Sequence, residues 1–267
     1  MNPSEIKEVL ARLGASPSKG MGQNFLIDDR VAERQVEAAG ICPDDIVLEV
    51  GPGLGVLTDR LAARAKKVIA IEMDRRLAAN LGPALPENVE LVVGDALEVP
   101  FPRFDIFVSN LPYSISSPIV FKLLDHEFKR AVVMLQKEFA DRMVARPGTD
   151  DYSRLTVNVF YRAECRIIEK VPRSRFWPMP KVDSAVVELA PRPAPFRVED
   201  EGLFFQLVEV LFQQRRKKIG TVLRTRGLIT SEARSRVPYV ELRVEALSPM
   251  QIGEVADAVH ALRVKKK

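Results

Sequence analysis

An α/β fold is what the sequence predicts: a mostly parallel sheet with helices on both faces, plus a small C-terminal helical domain. Three observations carry that expectation. From Asp45 onward, short apolar runs of strand length alternate with stretches of helical spacing. Each apolar run stops at a glycine or a polar residue, as strands feeding crossover helices do. Pro191, Pro193 and Pro195 then interrupt the pattern before a helical tail.

The elements follow in order. Ile6, Val9, Leu10 and Leu13 share a helical face that Gly14 ends, and Asp29 to Ala39 reads as a second helix. DIVLEV, Asp45 to Val50, is a strand running into GPGLG, and Leu57 and Leu61 share a face of a helix over Leu54 to Ala65. Lys67 to Ile71 is a strand ending at Glu72, with a helix over Arg75 to Leu81 after it. Val89 to Val93 ends at Gly94 and Asp95, and Phe104 to Ser109 ends at Asn110. Helices over Pro118 to Leu124 and Lys137 to Ala145 flank a strand over Arg130 to Leu135. Thr156 to Tyr161, Arg166 to Val171 and Ser184 to Leu189 are further strands by the same reading. Past the prolines, Leu203 to Leu211 is a dense apolar helix expected to continue through QQRRKKIGTVL. Two weaker helical patterns lie between Ser231 and Leu262, ahead of a closing KKK. The expected domains are 1–190 and 191–267.

Composition narrows the function classes. The chain has 267 residues, 46% hydrophobic and 28% charged, an ordinary globular balance. Two cysteines and two histidines disfavour both a disulfide framework and a zinc cluster. No apolar run approaches the ~20 residues that cross a bilayer. The N-terminal stretch has acidic residues and no apolar signal core, so a cytoplasmic protein is expected. The charge is lopsided: Arg192 to Lys267 carries a net +6 within a whole-chain +4. That favours a polyanionic partner for the C-terminal part.

EVGPGLG, Glu49 to Gly55, follows a strand and opens a helix, so Gly51, Gly53 and Gly55 permit a sharp turn and close ligand approach. Glu72, at the end of the next strand, is placed to accept ribose hydroxyls. Asp95, after the third strand, is placed to accept from an adenine amine. Two cofactor classes share this geometry, dinucleotides and S-adenosylmethionine. An acidic Glu49 and the missing N–H of Pro52 suit a sulfonium and an amino group better than a pyrophosphate, and the absence of GK[ST] disfavours nucleotide hydrolysis.

Asn110-Leu111-Pro112-Tyr113 follows the fourth strand. The adenine N6 amine is a poor nucleophile because its lone pair is delocalised into the ring. An acceptor such as the Asn110 side-chain carbonyl, with the Leu111 backbone carbonyl as a second, favours a more pyramidal nitrogen. Pro112 stiffens the turn, and Tyr113 offers a face for base stacking, worth ~1–3 kcal/mol.

NLPY resembles the motif of methyltransferases that modify exocyclic amines. Together with GQNFLID, EVGPGLGVLT, GDAL and FWPMPKVDSAVVEL, it resembles the ribosomal RNA adenine N6,N6-dimethyltransferase family, from Gly20 to at least Leu223. The resemblance implies a Rossmann-like S-adenosylmethionine-dependent methyltransferase sheet. It also implies dimethylation of two adjacent adenosines in the 3′-terminal hairpin of small-subunit ribosomal RNA, within a pre-small ribosomal subunit. By the same resemblance, Gln23, Asn24 and Leu26 close over the cofactor, Gly51, Gly53 and Gly55 lie beneath its methionine part, and Met73 and Ala96 line its adenine slot. Phe176 would be a second, exposed aromatic wall opposite Tyr113. A basic helix carrying Arg215, Arg216, Lys217 and Lys218 would face the RNA, with Lys181, Arg142 and Arg146 as weaker candidates. The chain departs from many members in having Ser114 after NLPY, where Asn or Gln is common.

Two other readings stand beside this one. A DNA adenine methyltransferase shares the motif type but needs a sizeable sequence-reading domain. A non-enzymatic RNA-binding assembly factor would tolerate damage at Gly51, Glu72 or Asn110, and none is damaged. No heptad pattern argues for an obligate oligomer, so a monomer is expected.

Overall fold

The structure is a computed structural model that describes residues 1–17 and 22–264; Gly20, where the family resemblance begins, and the terminal lysines lie outside the described residues. The chain divides into two compact units, Met1–Ala140 with Cys165–Pro191, and Asp141–Glu164 with Arg192–Lys267. The second unit resumes at Arg192, within the proline segment. However, the stretch 141–164, expected in the first domain, packs with the second unit.

In the first unit, α1 (Pro3–Arg12) precedes β1 (Phe25–Leu26) and α2 (Asp29–Ala39). There follow β2 (Ile46–Val50), α3 (Thr58–Ala62), β3 (Lys67–Glu72), α4 (Arg75–Leu81), β4 (Val89–Val93) and β5 (Ile106–Asn110). Next come α5 (Ser116–Leu124), β6 (Arg130–Gln136) and α6 (Lys137–Met143), the last crossing the unit boundary. After α7 (Arg154–Arg162), the chain forms β7 (Ala163–Val171), β8 (Phe176–Trp177) and β9 (Ser184–Pro191). Seven strands make one sheet in the order β4-β3-β2-β5-β6-β9-β7, while β1 and β8 pair separately. The pairs β4–β3, β3–β2, β2–β5 and β5–β6 are parallel, and β9 runs antiparallel to β6.

Alternation along the strands builds two apolar layers. Val47, Val68, Ile106, Val108, Val132 and Val186 join Val31, Val36, Leu57 and Leu61 from the α2 and α3 side in one buried cluster. Their neighbours Leu48, Phe107, Val133 and Val187 are fully buried on the opposite face, where Phe101 and Phe104 pack on Phe107. A sheet covered on both faces has only its strand ends left for a ligand. Strand order reverses between β2 and β5, which is where open α/β sheets take ligands.

The helix expected over Leu54 to Ala65 is confined to α3, because the positive φ angles of Gly53 and Gly55 keep the chain in a turn until Leu57. Among the described residues, the remaining α-helices of the second unit are α8 (Glu201–Gln213), α9 (Ile219–Thr225) and α10 (Pro249–Val264), with short 3-10 turns at Glu232–Arg236 and Val244–Ala246. Thr156 to Tyr161 was expected as a strand and is helical in α7. Ser153 and Thr156 form a reciprocal cap, and Val157 and Tyr161, one turn apart, enter the apolar core with Phe204, Leu207, Leu211 and Val255. Nor does α8 run through QQRRKK. Gln214 leaves helical geometry at φ −123° and ψ 40°, and α9 starts afresh after a turn.

Candidate active site

Four strand ends converge on a cavity of about 320 Å³ in the first unit. That volume lies in the range of small-molecule sites. Gly51 and Gly53 come from the end of β2, Glu72 and Met73 from β3, Asp95 and Ala96 from β4, and Asn110 to Tyr113 from β5. Glu49, Gln23, Asn24, Leu26 and Phe176 also line it. Sequence reading had gathered all of these residues.

The glycine turn is fixed from behind. Gly51 has φ 71° and Gly53 has φ 60°, where a side chain would be strained. The Gly51 amide donates to the Ile71 carbonyl at 2.9 Å, and the Gly53 amide donates to Glu72 Oε2 at 3.0 Å. Gly55 does not line the cavity: a Cβ there would sit 2.9 Å from Leu81 Cδ1, so it serves close packing within the unit.

The carboxylates differ in state. Glu72 accepts a second amide, from Asp74, at 2.8 Å, yet burial outweighs the backbone bonds it accepts and raises its pKa. Glu49 is 1% exposed and accepts from Thr58 Oγ1 at 2.8 Å; burial pushes its carboxyl up to about 8. Asp95 Oδ1 accepts the Leu97 amide at 2.9 Å. Gln23 Nε2 reaches Asp74 Oδ2 at 3.3 Å, which ties the segment before β1 to the start of α4, and Asn24 Nδ2 donates to the Gly22 carbonyl within that segment at 3.1 Å.

Asn110 Oδ1 is buried and has no hydrogen-bond partner. An orphaned buried acceptor costs about 1–3 kcal/mol, so its persistence at the floor of a cavity points to a donor supplied from outside. The backbone around it is firm: the Leu111 amide donates to the Met134 carbonyl at 3.2 Å, and the Ile115 amide to the Pro112 carbonyl at 3.1 Å. The Tyr113 hydroxyl and Ser184 Oγ lie 2.6 Å apart, which fixes the ring, and burial raises the phenol pKa. Phe176 corrects one expectation. It is 6% exposed, paired with Leu26 across β1 and β8, and its ring belongs to the apolar core, so it borders the cavity without standing out as an open wall.

The structure adds residues that the sequence reading gave no role. Phe25, Leu54, Leu77 and Met134 line the cavity; Ser114, the departure noted after NLPY, lines it too. Lys122 on α5 donates to the carbonyls of Ala96, Leu97 and Val99 at 2.8, 3.1 and 2.6 Å, and so holds the turn that presents Asp95. Phe25 and Leu54 lie within the quoted GQNFLID and EVGPGLG runs, and Ser184 within FWPMPKVDS, whereas Leu77, Lys122 and Met134 lie in none of those motifs. No group of three His, Cys, Asp or Glu side chains that could hold a metal occurs among the described residues.

A family model described as ribosomal RNA adenine dimethylase matches residues 16–260. The chain belongs to the ribosomal RNA adenine dimethylase family. It is 50% identical over 90% of its length, and 92% of the relative's, to a probable ribosomal RNA small subunit methyltransferase A of Methanosarcina mazei. A protein of the same description from Thermococcus kodakarensis is 46% identical over 93% of this chain and 92% of its own. Among solved structures, a dimethyladenosine transferase from Plasmodium falciparum aligns at TM-score 0.77 and 32% identity, over 91% of this chain and 98% of that one. The 23S rRNA methyltransferase ErmE aligns at TM-score 0.67 and 33% identity, over 89% and 100%.

Membership in the dimethylase family makes the chain an S-adenosylmethionine-dependent rRNA methyltransferase. The residues present suit that cofactor: acidic side chains from three consecutive strand ends, Glu49, Glu72 and Asp95, line the cavity.

The basic cluster of the second unit departs from expectation. Arg215 to Lys218 lie in the turn between α8 and α9, not on a helix. Arg215 is consumed internally: Nε donates to Glu245 Oε2 at 2.7 Å, Nη1 to the Asp150 carbonyl at 2.6 Å and Nη2 to the Thr149 carbonyl at 2.9 Å. Lys218 pairs with Glu241 at 2.8 Å. Arg216 and Lys217 are exposed, as is Lys181 in the first unit. The Arg142 carbonyl accepts from Thr156 Oγ1 at 2.6 Å.

Proposed function

We propose that this protein dimethylates the N6 amines of two adjacent adenosines in the 3′-terminal hairpin of small-subunit ribosomal RNA during assembly of that subunit. The observation that carries the reading is the unpartnered Asn110 Oδ1 on a cavity ringed by Glu49, Glu72 and Asp95. The small-subunit address rests on the descriptions of relatives at 44–50% identity.

S-adenosylmethionine, when bound, supplies a methyl group on a positively charged sulfur. Each oxygen of Glu72 retains acceptor capacity after taking one backbone amide, enough for the two ribose hydroxyls. Asp95 would accept from the cofactor's adenine amine, and Met73 and Ala96 would line the adenine slot. Glu49, Gly51 and Gly53 would hold the methionine end, and Gln23, Asn24 and Leu26 would cover the cofactor from the N-terminal segment. Asn110 Oδ1 and the Leu111 carbonyl accept from the substrate amine, which turns its lone pair toward the methyl group. Tyr113, held by Ser184, supports the flipped base, and the edge of Phe176 limits its depth. A target in a loop costs least to unstack. After transfer the nitrogen is no longer basic enough to keep its extra proton, so no strong base is required. Catalysis is mainly positioning and alignment.

Arg216, Lys217 and Lys181 are the proposed phosphate contacts; Arg215 and Lys218 are withdrawn from that set because their charges are met within the second unit. No helix among the described residues is long and apolar enough to cross a membrane. We place the protein in the cytoplasm beside its RNA and, as the sequence lacks a heptad stretch, as a monomer. Replacing Asn110 or Tyr113 by Ala tests the site: cofactor binding by calorimetry should persist while methyl transfer is lost. Loss of binding in parallel with transfer would overturn these roles.

A further inference from the structure

We infer that Ser109 is a positioning residue that sets the distance between the catalytic turn and the cofactor loop, with Gln35 as its anchor. The inference rests on the reading of Asn110 given above. β2 pairs with β3 up to Val50↔Ile71, and β5 pairs with β6 up to Asn110↔Met134. Between β2 and β5, however, the paired residues are only Val47↔Ile106 and Leu48↔Phe107. The ladder between these two strands therefore ends two residues short of Val50 and Ser109, beside the cavity. Backbone pairing no longer holds Gly51 at a set distance from Asn110.

A side-chain bond links the two strands beyond that register. Ser109 Oγ donates to the Val50 carbonyl at 2.6 Å, and Ser109 is wholly buried. Val50 immediately precedes Gly51, and Ser109 immediately precedes Asn110, so this bond joins the two loops one residue below each. The Ser109 carbonyl in turn accepts from Gln35 Nε2 at 3.2 Å, and the same nitrogen lies 3.4 Å from the Val132 carbonyl on β6. Gln35 is 1% exposed on α2. Both Ser109 and Gln35 stand outside the cavity lining, so neither touches cofactor or base. In-line displacement needs the reacting atoms ~3–3.5 Å apart, and a displacement of about 1 Å costs on the order of 100-fold in rate. A strap that meets neither ligand acts on the rate of transfer and not on binding.

The test uses the full chain carrying Ser109→Ala, Ser109→Thr, Gln35→Met or Asn110→Ala. Single-turnover methyl transfer is measured beside cofactor Kd, RNA KM and thermal melting. Ser109→Ala is expected to slow transfer by about tenfold or more while Kd and KM stay within about twofold, because the lost interaction orders the transition state alone. Ser109→Thr restores the hydroxyl and most of the rate. Gln35→Met gives the same pattern more weakly, and it carries the test if Ser109→Ala does not fold. A Ser109→Ala protein that melts earlier but transfers at the normal rate, while Asn110→Ala is inactive, overturns the positioning role and leaves the site reading intact. A rise in cofactor Kd matching the loss of rate also overturns it. Normal transfer by Asn110→Ala overturns the site reading, and this inference with it.

Discussion

Glu72 Oε2 accepts the Gly53 amide at 3.0 Å, so the carboxylate at the end of β3 is part of the glycine turn before any ligand arrives. The same group that is to hold the ribose also shapes the loop beneath the methionine end, and the Asp74 amide on Oε1 stops it from rotating away. The bond thus joins the ends of β2 and β3. The cavity is preorganised, which limits the ordering cost of binding.

Glu72→Ala should therefore do two things at once. It leaves the Gly53 amide without its partner, a cost of about 1–3 kcal/mol, and it removes the ribose acceptor. Lower thermal stability together with a cofactor Kd raised at least about tenfold is expected. Glu72→Gln should keep more of the stability than of the affinity. Melting curves and calorimetry check both; an unchanged Kd in Glu72→Ala would leave the carboxylate a purely structural role.

The Glu49 carboxyl predicts a pH dependence. Burial holds it up to about 8 in the folded protein, against an ordinary value of 4.5, although the Thr58 hydroxyl pulls it down. Over that window the folded state keeps a proton that the unfolded chain has released, so this contribution to stability is full below 4.5 and is lost as pH rises through about 8. A bound sulfonium favours the ionised form. Cofactor binding at neutral pH should release a proton, and affinity should rise with pH until about 8. Calorimetry in buffers of different ionisation heat measures the release, which Glu49→Gln should abolish. Binding without proton release in the unaltered protein would contradict the prediction.

Asn110→Ala should separate stability from function. It removes a buried acceptor that costs about 1–3 kcal/mol unpaired, which offsets the packing it loses. The melting temperature is expected to hold or rise while methyl transfer falls about 100-fold or more. A marked drop in melting temperature would show that Oδ1 is satisfied in the free protein.

The basic turn divides into structural and exposed cations. Arg215→Ala loses three hydrogen bonds and should lower the melting temperature of the second unit. Arg216→Ala and Lys217→Ala should leave melting unchanged and each reduce the salt slope of RNA binding by about one. RNA titrations over a range of salt measure this; an equal effect of all three on the slope would return Arg215 to the RNA contacts.

Much of the first unit was legible because its strands are nearly continuous apolar runs that end at Gly51, Glu72, Asp95 and Asn110, and the cavity is built on those ends. Thr156 to Tyr161 misled because a β-branched alternation looked like a strand, while its cap pairs Ser153 with a Thr and not with the Glu or Gln of the usual box. The break at Gln214 had no glycine or proline to announce it. Exposure of Phe176 depended on its pairing with Leu26, a contact across 150 residues of chain. Ser109 and Gln35 were silent for a related reason: their meaning lies in which carbonyls they reach after the sheet has formed.

The central claim is the reaction, and methyl transfer to undermethylated small ribosomal subunits tests it most directly. Labelled S-adenosylmethionine, with nucleoside mass analysis of the RNA, should yield N6,N6-dimethyladenosine that disappears with Asn110→Ala. Label confined to large-subunit RNA, or no dimethyladenosine despite tight cofactor binding, would contradict it.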